Sequence, residues 1–244
     1  MSSVGRDNDA QREAWVQRQL AQLPAGWRLL DAGAGEQRYR QHCGHLSYVS
    51  QDFAEYQPEQ TAAGLHMARW DYGRLDIVSD IAAIPAADAS FDAILCSEVF
   101  EHLPDPLAAF REFARLLRPG GQLLLTAPFL SLTHFAPHHY ATGFNRFFYE
   151  MHLVRYGFCV DEICTNGNYF ELLGQELRRV PAMAERYSAV RLPFYERGLL
   201  RLTLRLLARL SRRDAGSAET ACYGLHVRAT RQDDREAVPA RRGA

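Results

Sequence analysis

"LLDAGAGEQRYR", residues 29–40, decides how the rest of the chain is read. An apolar run, "WRLLDA", ends in two glycines one residue apart, Gly33 and Gly35. A strand that ends in a G-x-G turn lets a ligand approach the backbone closely, because glycine has no Cβ and tolerates left-handed dihedrals. The dinucleotide fingerprint G-x-G-x-x-G would need a third glycine at position 38, where Arg38 stands. Three readings are open at this point: a dinucleotide site lacking one glycine, a site for a different ligand, and a plain tight turn.

Working outward, the pattern alternates between strands and helices. Residues 1–8 read as a frayed end and residues 9–22 as a helix with Trp15, Val16 and Leu20 on one side. "WRLLDAG", "HLSYVSQDF", "LDIVSD" and the nearly all-apolar "FDAILCSEV" read as four strands, the last covered on both faces. "PDPLAAFREFARLLRPGG" is a helix with Asp105 as cap and Pro106 in its first turn. Leu107, Phe110, Phe113 and Leu117 keep helical spacing, and Gly120–Gly121 are expected to stop it. "QLLLTAPF" is a fifth strand, 144–156 a helix, "FCVDEICTN" a sixth strand, 169–213 helical and "ACYGLHVRAT" a last strand. Such alternation implies an α/β fold with a parallel sheet and right-handed crossovers. The expected organisation is one domain over residues 1–230, with 169–213 as a helical insertion and 231–244 as a disordered tail.

Composition narrows the function class. The 244 residues are 47% hydrophobic and 23% charged, an ordinary globular balance. With a formal net charge of -1 there is no global field to gather nucleic acid, which is not expected as a partner. All 28 basic residues are arginine. Five cysteines without a C-x-x-C point to reduced thiols in a cytoplasmic protein. "MSSVGRDNDAQREAW" lacks the apolar core of a signal peptide, and no apolar run reaches the length of a membrane span.

The acids downstream separate the three readings. Asp52 ends the second strand 19 residues after Gly33, where a carboxylate accepts both hydroxyls of a ribose. Asp80 follows the third strand, where it can accept from an adenine amino group. These turns all lie at the carboxyl ends of parallel strands, the edge at which open α/β sheets bind ligands.

Together "LLDAGAG", "SQDF", "SDIAAIPAADASFDAILCSEVFEHLPDP" and "LLRPGGQLLLTAPF" resemble class I S-adenosylmethionine-dependent methyltransferases from about residue 27 to 129, in that family's order and spacing. The resemblance implies a Rossmann-like, doubly wound sheet of seven strands in order 3-2-1-4-5-7-6, with strand 7 antiparallel. It also implies S-adenosylmethionine as cofactor. Asp31, Gly33 and Gly35 would hold its methionine end, Asp52 the ribose, and Asp80 with Ile81 the adenine; Ser97 and Glu98 would line the floor beside the methyl group. The family often has a third glycine two residues after Gly35, where this chain has Gln37. The ligand has no pyrophosphate to press on that turn. Its sulfonium and ammonium suit Asp31 and Glu36, which would repel a dinucleotide.

An acceptor hydroxyl needs a base, and the loop after the fifth strand, "FLSLTHFAPHHYATGFNRF", offers His134, His138 and His139. A metal is not expected. Were one held, the candidates are Glu98, Glu101 and His102, whose i, i+3, i+4 spacing in "SEVFEH" would align them on a helical turn beside a loop histidine. This stretch is similar to the metal site of some quinone-pathway and small-RNA methyltransferases.

Residues 169–213 are expected to shape the substrate side. Arg197, Arg201, Arg205, Arg209 and Arg213 recur every four residues there, beside Leu199, Leu202, Leu206 and Leu210. The leucines can pack on the chain's own core and leave a solvated basic face, or the helix can lie on an anionic membrane. The expected function is methyl transfer, most simply to oxygen, on a small-molecule or lipid- or saccharide-linked acceptor. The alternative is a non-catalytic protein of the same fold that binds a partner or membrane through residues 197–213.

Overall fold

A computed structural model describes residues 3–58, 64–65 and 69–233. Its helices are α1 (Asn8–Gln22), α2 (Pro106–Leu116), α3 (Arg146–Arg155), α4 (Tyr169–Ser188) and α5 (Phe194–Ser211). Its strands are β1 (Arg28–Ala32), β2 (Ser47–Asp52), β3 (Ile77–Val78), β4 (Phe91–Ser97), β5 (Leu117–Pro128), β6 (Phe158–Asn166) and β7 (Gly224–Arg231). They form one seven-stranded sheet in the order β3-β2-β1-β4-β5-β7-β6, with β7 antiparallel, as the family resemblance implied. β1 runs parallel to β2, with Asp31 opposite Ser50, and to β4, with Asp31 opposite Leu95. β4 runs parallel to β5, with Ser97 opposite Thr126.

The central strands are buried because their sequences are apolar at consecutive positions rather than alternate ones. Leu29, Leu30, Ala32, Ala93, Ile94, Leu95 and Cys96 are wholly buried. On one face Trp15, Val16 and Leu20 of α1 pack with Leu29, Tyr39, Ala93, Leu95 and Leu124. Elsewhere Phe100 meets Phe110 and Phe113 of α2. Helix α2 begins where its cap dictates: the Asp105 carboxylate accepts from the N–H groups of Leu107 (3.0 Å) and Ala108 (3.1 Å), with Pro106 at the first position.

Three expectations need correction. Gly120–Gly121 do not stop α2, which ends at Leu116. Leu117 is already extended and pairs with Phe91, so the strand ladder captures the chain before the glycines are reached. Arg231 belongs to β7 rather than to a tail: its Nε donates to Ala114 O (3.0 Å). The rest of the expected tail, 234–244, lies outside the described residues.

The third concerns the start of the chain. Residues 3–8 are not frayed. Val4 is buried, the Gly5 N–H donates to the Glu171 carboxylate (2.6 Å), and Arg178 Nε donates to Val4 O (2.7 Å). A Cβ on Gly5 would collide with the backbone of Gln175. The polar N-terminal sequence hid this because its partners are backbone groups and one distant carboxylate.

The chain divides into two compact units, one comprising the chain up to Ala14 with Thr165–Gly224, the other Trp15–Cys164 with the chain from Leu225. The first is centred on Val4, Leu204, Leu207 and Ala208, packed by Phe170, Leu173 and Leu177. The second holds almost all of the sheet and every residue of the expected site. No helix among the described residues is long and apolar enough to cross a membrane.

Candidate functional site

The site begins at the G-x-G turn. Gly33 (φ 77°) and Gly35 (φ 51°) are both left-handed. A Cβ on Gly33 would collide with the Val99 side chain, and one on Gly35 would lie 2.8 Å from the Trp70 ring. Glycine is required at both positions by dihedral and by space. The turn is closed onto the end of β2: the Gly35 N–H donates to the Asp52 carboxylate (2.9 Å), whose other oxygen accepts from the Ala54 N–H (3.0 Å). Asp52 is buried, and burial raises its pKa, opposed by these backbone bonds. Its two oxygens keep lone pairs beyond those two bonds.

The missing third glycine has a structural answer. Gln37 occupies that place and is itself left-handed, at φ 55°. The geometry is therefore retained rather than made unnecessary by the ligand. A left-handed non-glycine residue costs about 1–2 kcal/mol. The Gln37 side chain offsets that cost: Nε2 donates to the carbonyls of Tyr72 and Arg74 (both 2.9 Å), and Oε1 accepts from Arg40 (2.7 Å). Gln37 thus ties the glycine turn to the loop before β3.

Asp31 is almost fully buried, and its Oδ2 accepts from the Tyr48 hydroxyl (2.6 Å). Burial pushes its pKa up to about 7, the Tyr48 bond opposes, and the charge of Asp52 adds. Glu36 is exposed and accepts from the Asp71 N–H (3.2 Å). Asp80 is exposed and caps its own turn through the Ala82 N–H (2.8 Å), while Ile81 beside it is buried.

At the ends of β4 and β5 a hydrogen-bond chain crosses the floor. Tyr39 Oη meets Ser97 Oγ (3.3 Å), Ser97 Oγ meets Thr126 Oγ1 (2.9 Å), and Thr126 donates to Glu98 Oε1 (3.0 Å). Glu98 is left-handed at φ 56°. Strain of this kind at the C-terminal edge of a parallel sheet marks a position held for its side chain. It also separates Glu98 from Glu101 and His102, which sit on a 3-10 turn (Phe100–His102) rather than on a shared α-helical face. Of the three, Glu101 and His102 stay in contact, with His102 Nε2 3.6 Å from Glu101 Oε1.

Histidines of the loop after β5 join them. The loop after β5 is pinned to that 3-10 turn: the Tyr140 N–H donates to Glu101 O (2.9 Å), and His102 Nδ1 donates to His138 O (2.6 Å). His134 Nδ1 likewise donates to Leu132 O (2.9 Å). With both Nδ1 atoms spent on carbonyls, the Nε2 atoms carry the lone pairs. They lie 3.6 Å (His102) and 3.7 Å (His134) from Oε1 of the buried Glu101. His139 completes the group, and ligand atoms of His102, His134 and His139 lie within 4.8 Å of one another. Both ring nitrogens of His139 are buried with no hydrogen-bond partner. Burial, then His134, lowers the pKa of His139; burial pulls His102 down to about 3. Both rings are neutral at physiological pH. His138 stands apart from the cluster, its ring edge-on to Phe53.

An aromatic wall escaped the sequence reading. Tyr56 stacks on Phe135 at 4.0 Å, and Trp70 meets Phe135 edge-on at 4.8 Å. The only signal was an aromatic excess in two loops, "EYQP" and "RWDYG", that otherwise read as polar.

Comparison with known proteins bears on the fold and on residues 30–125. The profile of the methyltransferase domain family matches residues 30–125. The chain is 40% identical over 108 residues to the ubiquinone biosynthesis O-methyltransferase of Xanthomonas axonopodis pv. citri, covering 42% of this chain and 44% of that protein. It is 52% identical over 56 residues to the protein of the same description from Xanthomonas campestris pv. campestris (strain B100), covering 23% of this chain and 22% of that one. The chain thus spans less than half the length of the curated relatives it matches. Among solved structures it is similar to the [4+2]-cyclase SpnF, with a TM-score of 0.57 at 16% identity over 93% of this chain and 84% of that one. It is also similar to the phosphoethanolamine N-methyltransferase 2 of Haemonchus contortus, with a TM-score of 0.53 at 18% identity over 92% of this chain and 53% of that one. These likenesses speak to the fold alone, since one of the two neighbours is described as a cyclase.

Proposed function

We propose, from the match of residues 30–125 to the methyltransferase domain family, that this chain transfers a methyl group from S-adenosylmethionine to a hydroxyl of a small-molecule or lipid- or saccharide-linked acceptor. The observation that carries the reading is the closure of the glycine turn onto Asp52 through the Gly35 N–H. It brings a ribose-accepting carboxylate against a backbone with no room for a Cβ, which fits the cofactor's sugar and methionine chain. Asp31 supports it, because an arriving cation favours its ionised form.

In this reading Asp52 accepts the ribose hydroxyls, Asp80 and Ile81 hold the adenine, and Ser97 and Glu98 form the floor beside the reacting centre. The bound cofactor supplies a methyl group on a sulfonium, already electrophilic. What remains for the chain is to align the acceptor, exclude water and remove one proton. His139 suits proton removal, because it is neutral and neither ring nitrogen is engaged. The aromatic wall of Tyr56, Trp70 and Phe135 keeps water from the turn. The O-methyltransferase relatives favour oxygen as the attacking atom.

Titration calorimetry with S-adenosylmethionine tests the reading. Saturable binding at one site per chain is expected, and absence of binding would overturn it. A screen of metabolite extracts with labelled cofactor then identifies the acceptor.

The histidine cluster favours a second reading of its own: a divalent-cation site built from Glu101, His102, His134 and His139. Three imidazoles and a carboxylate suit zinc, iron or manganese better than magnesium or calcium. Loss of methyl transfer in chelator, restored by one defined cation, is expected if the cluster holds a metal. Full activity in chelator excludes it and leaves His139 as a base.

A further inference from the structure

Helix α5 has three sides where a surface helix has two. At about 100° per residue, Leu200, Leu204, Leu207 and Ser211 share one arc. Leu204 and Leu207 are buried there in the core shared with α4 and Val4. A second arc carries Tyr195, Leu199, Leu202, Leu206 and Leu210, exposed by 63%, 64%, 62%, 42% and 36%. The third carries Arg197, Arg201, Arg205, Arg209 and Arg212, all exposed. The leucine stripe singled out in the sequence is thus not the one that packs. A helix whose core contacts are already made gains nothing in water from a second apolar stripe, and such a stripe marks an interaction surface.

We infer that α5 is a docking helix for an anionic phospholipid surface. The charge pattern selects this occupant. Between Phe194 and Asp214 there are six arginines against Glu196 and Asp214, in a chain whose formal net charge is -1. The positive charge is therefore concentrated on the helix that exposes the leucines. The arginine row runs along one edge of the stripe, so its stems can lie on acyl chains while the guanidinium groups reach headgroup phosphates. Phe194, exposed by 86%, and Tyr195 stand at the helix start, where aromatic rings suit the lipid–water boundary. A flat lipid surface also covers a stripe one helix wide without a complementary groove. A second copy of the chain fits less well: antiparallel pairing through the stripe would bring both arginine rows to the same edge, where they repel.

The inference does not depend on the methyl-transfer reading. Its test is co-sedimentation of the full chain with phosphatidylcholine vesicles, with and without about a third phosphatidylglycerol. The wild type is expected to partition onto the anionic vesicles at least about tenfold more strongly than onto the neutral ones. L202E combined with L206E is expected to lower anionic binding by about tenfold or more. Both positions are solvent-exposed, so the melting temperature of that variant should match the wild type. R201E combined with R205E should remove the preference for anionic lipid. Equal binding to both vesicle types, unchanged binding by the leucine variant, or a leucine-dependent dimer in light scattering with no vesicle binding would each overturn the inference.

Discussion

His139→Ala is expected to lower kcat for methyl transfer by two to four orders of magnitude, about 3–5 kcal/mol of barrier, while leaving the dissociation constant of S-adenosylmethionine within about twofold. The ring sits in a pinned loop and takes no part in the glycine turn, so removing it should spare cofactor binding. The pH profile carries the stronger test. A base works in its neutral form, so kcat falls as pH drops through its pKa. Burial beside His134 holds that pKa below the ordinary 6.5, which places the acid limb of kcat below 6.5 as well. His139→Ala should flatten that limb, and His139→Gln should not restore it. A loss under threefold, or an acid limb that persists in the variant, would remove His139 from the reaction. Asp31 titrates nearer neutrality, at about 7, but through cofactor affinity; saturating cofactor separates its effect from that of the base.

Asp52→Ala is expected to weaken S-adenosylmethionine binding by about two to three orders of magnitude. Hydrogen bonds to a charged group contribute about 1.5–3 kcal/mol each, and this substitution removes those to the ribose. It also strips the Gly35 and Ala54 N–H groups of their acceptor, so the turn itself loosens. Asp52→Asn keeps one acceptor oxygen, and a loss nearer about tenfold is expected. Stability should move differently. The folded pKa of Asp52 lies above its usual value, so its burial begins to destabilise the fold as pH rises from the unfolded pKa, and the whole cost is present above the folded one. Asp52→Asn removes that cost but turns an NH2 toward one of the two backbone N–H groups, so its melting temperature should depend less on pH than that of the wild type. Calorimetry and thermal denaturation read the two effects separately. Wild-type affinity in Asp52→Ala would defeat the assignment of the ribose acceptor.

Much of the site was legible because it follows from local rules. A G-x-G after an apolar run means left-handed backbone, and Gly33 and Gly35 are both left-handed with no room for a Cβ. An acid at the end of the next parallel strand must lie beside that turn, and Asp52 does. Other features depended on which groups meet across long separations. Gln37 could be read as a tolerated departure, but not as a left-handed residue held by the carbonyls of Tyr72 and Arg74. "SEVFEH" looked like one aligned face because helical spacing was assumed. The strand ends in a strained Glu98 and a 3-10 turn, which send the two acids to different partners.

The sequence alone determined the alternation of strands and helices and the sheet edge that carries the glycine turn, because buried strands, caps and glycine turns act over a few residues and leave a direct record in composition; the strand order came with the resemblance to a known family. Only the tertiary structure decided which histidines converge on Glu101, that the first residues of the chain are anchored, and which leucines of α5 face the core. Periodicity finds an apolar stripe, but which stripe is buried depends on what packs against it. On α5 that is Val4 and α4, and they take Leu204 and Leu207 rather than Leu202 and Leu206.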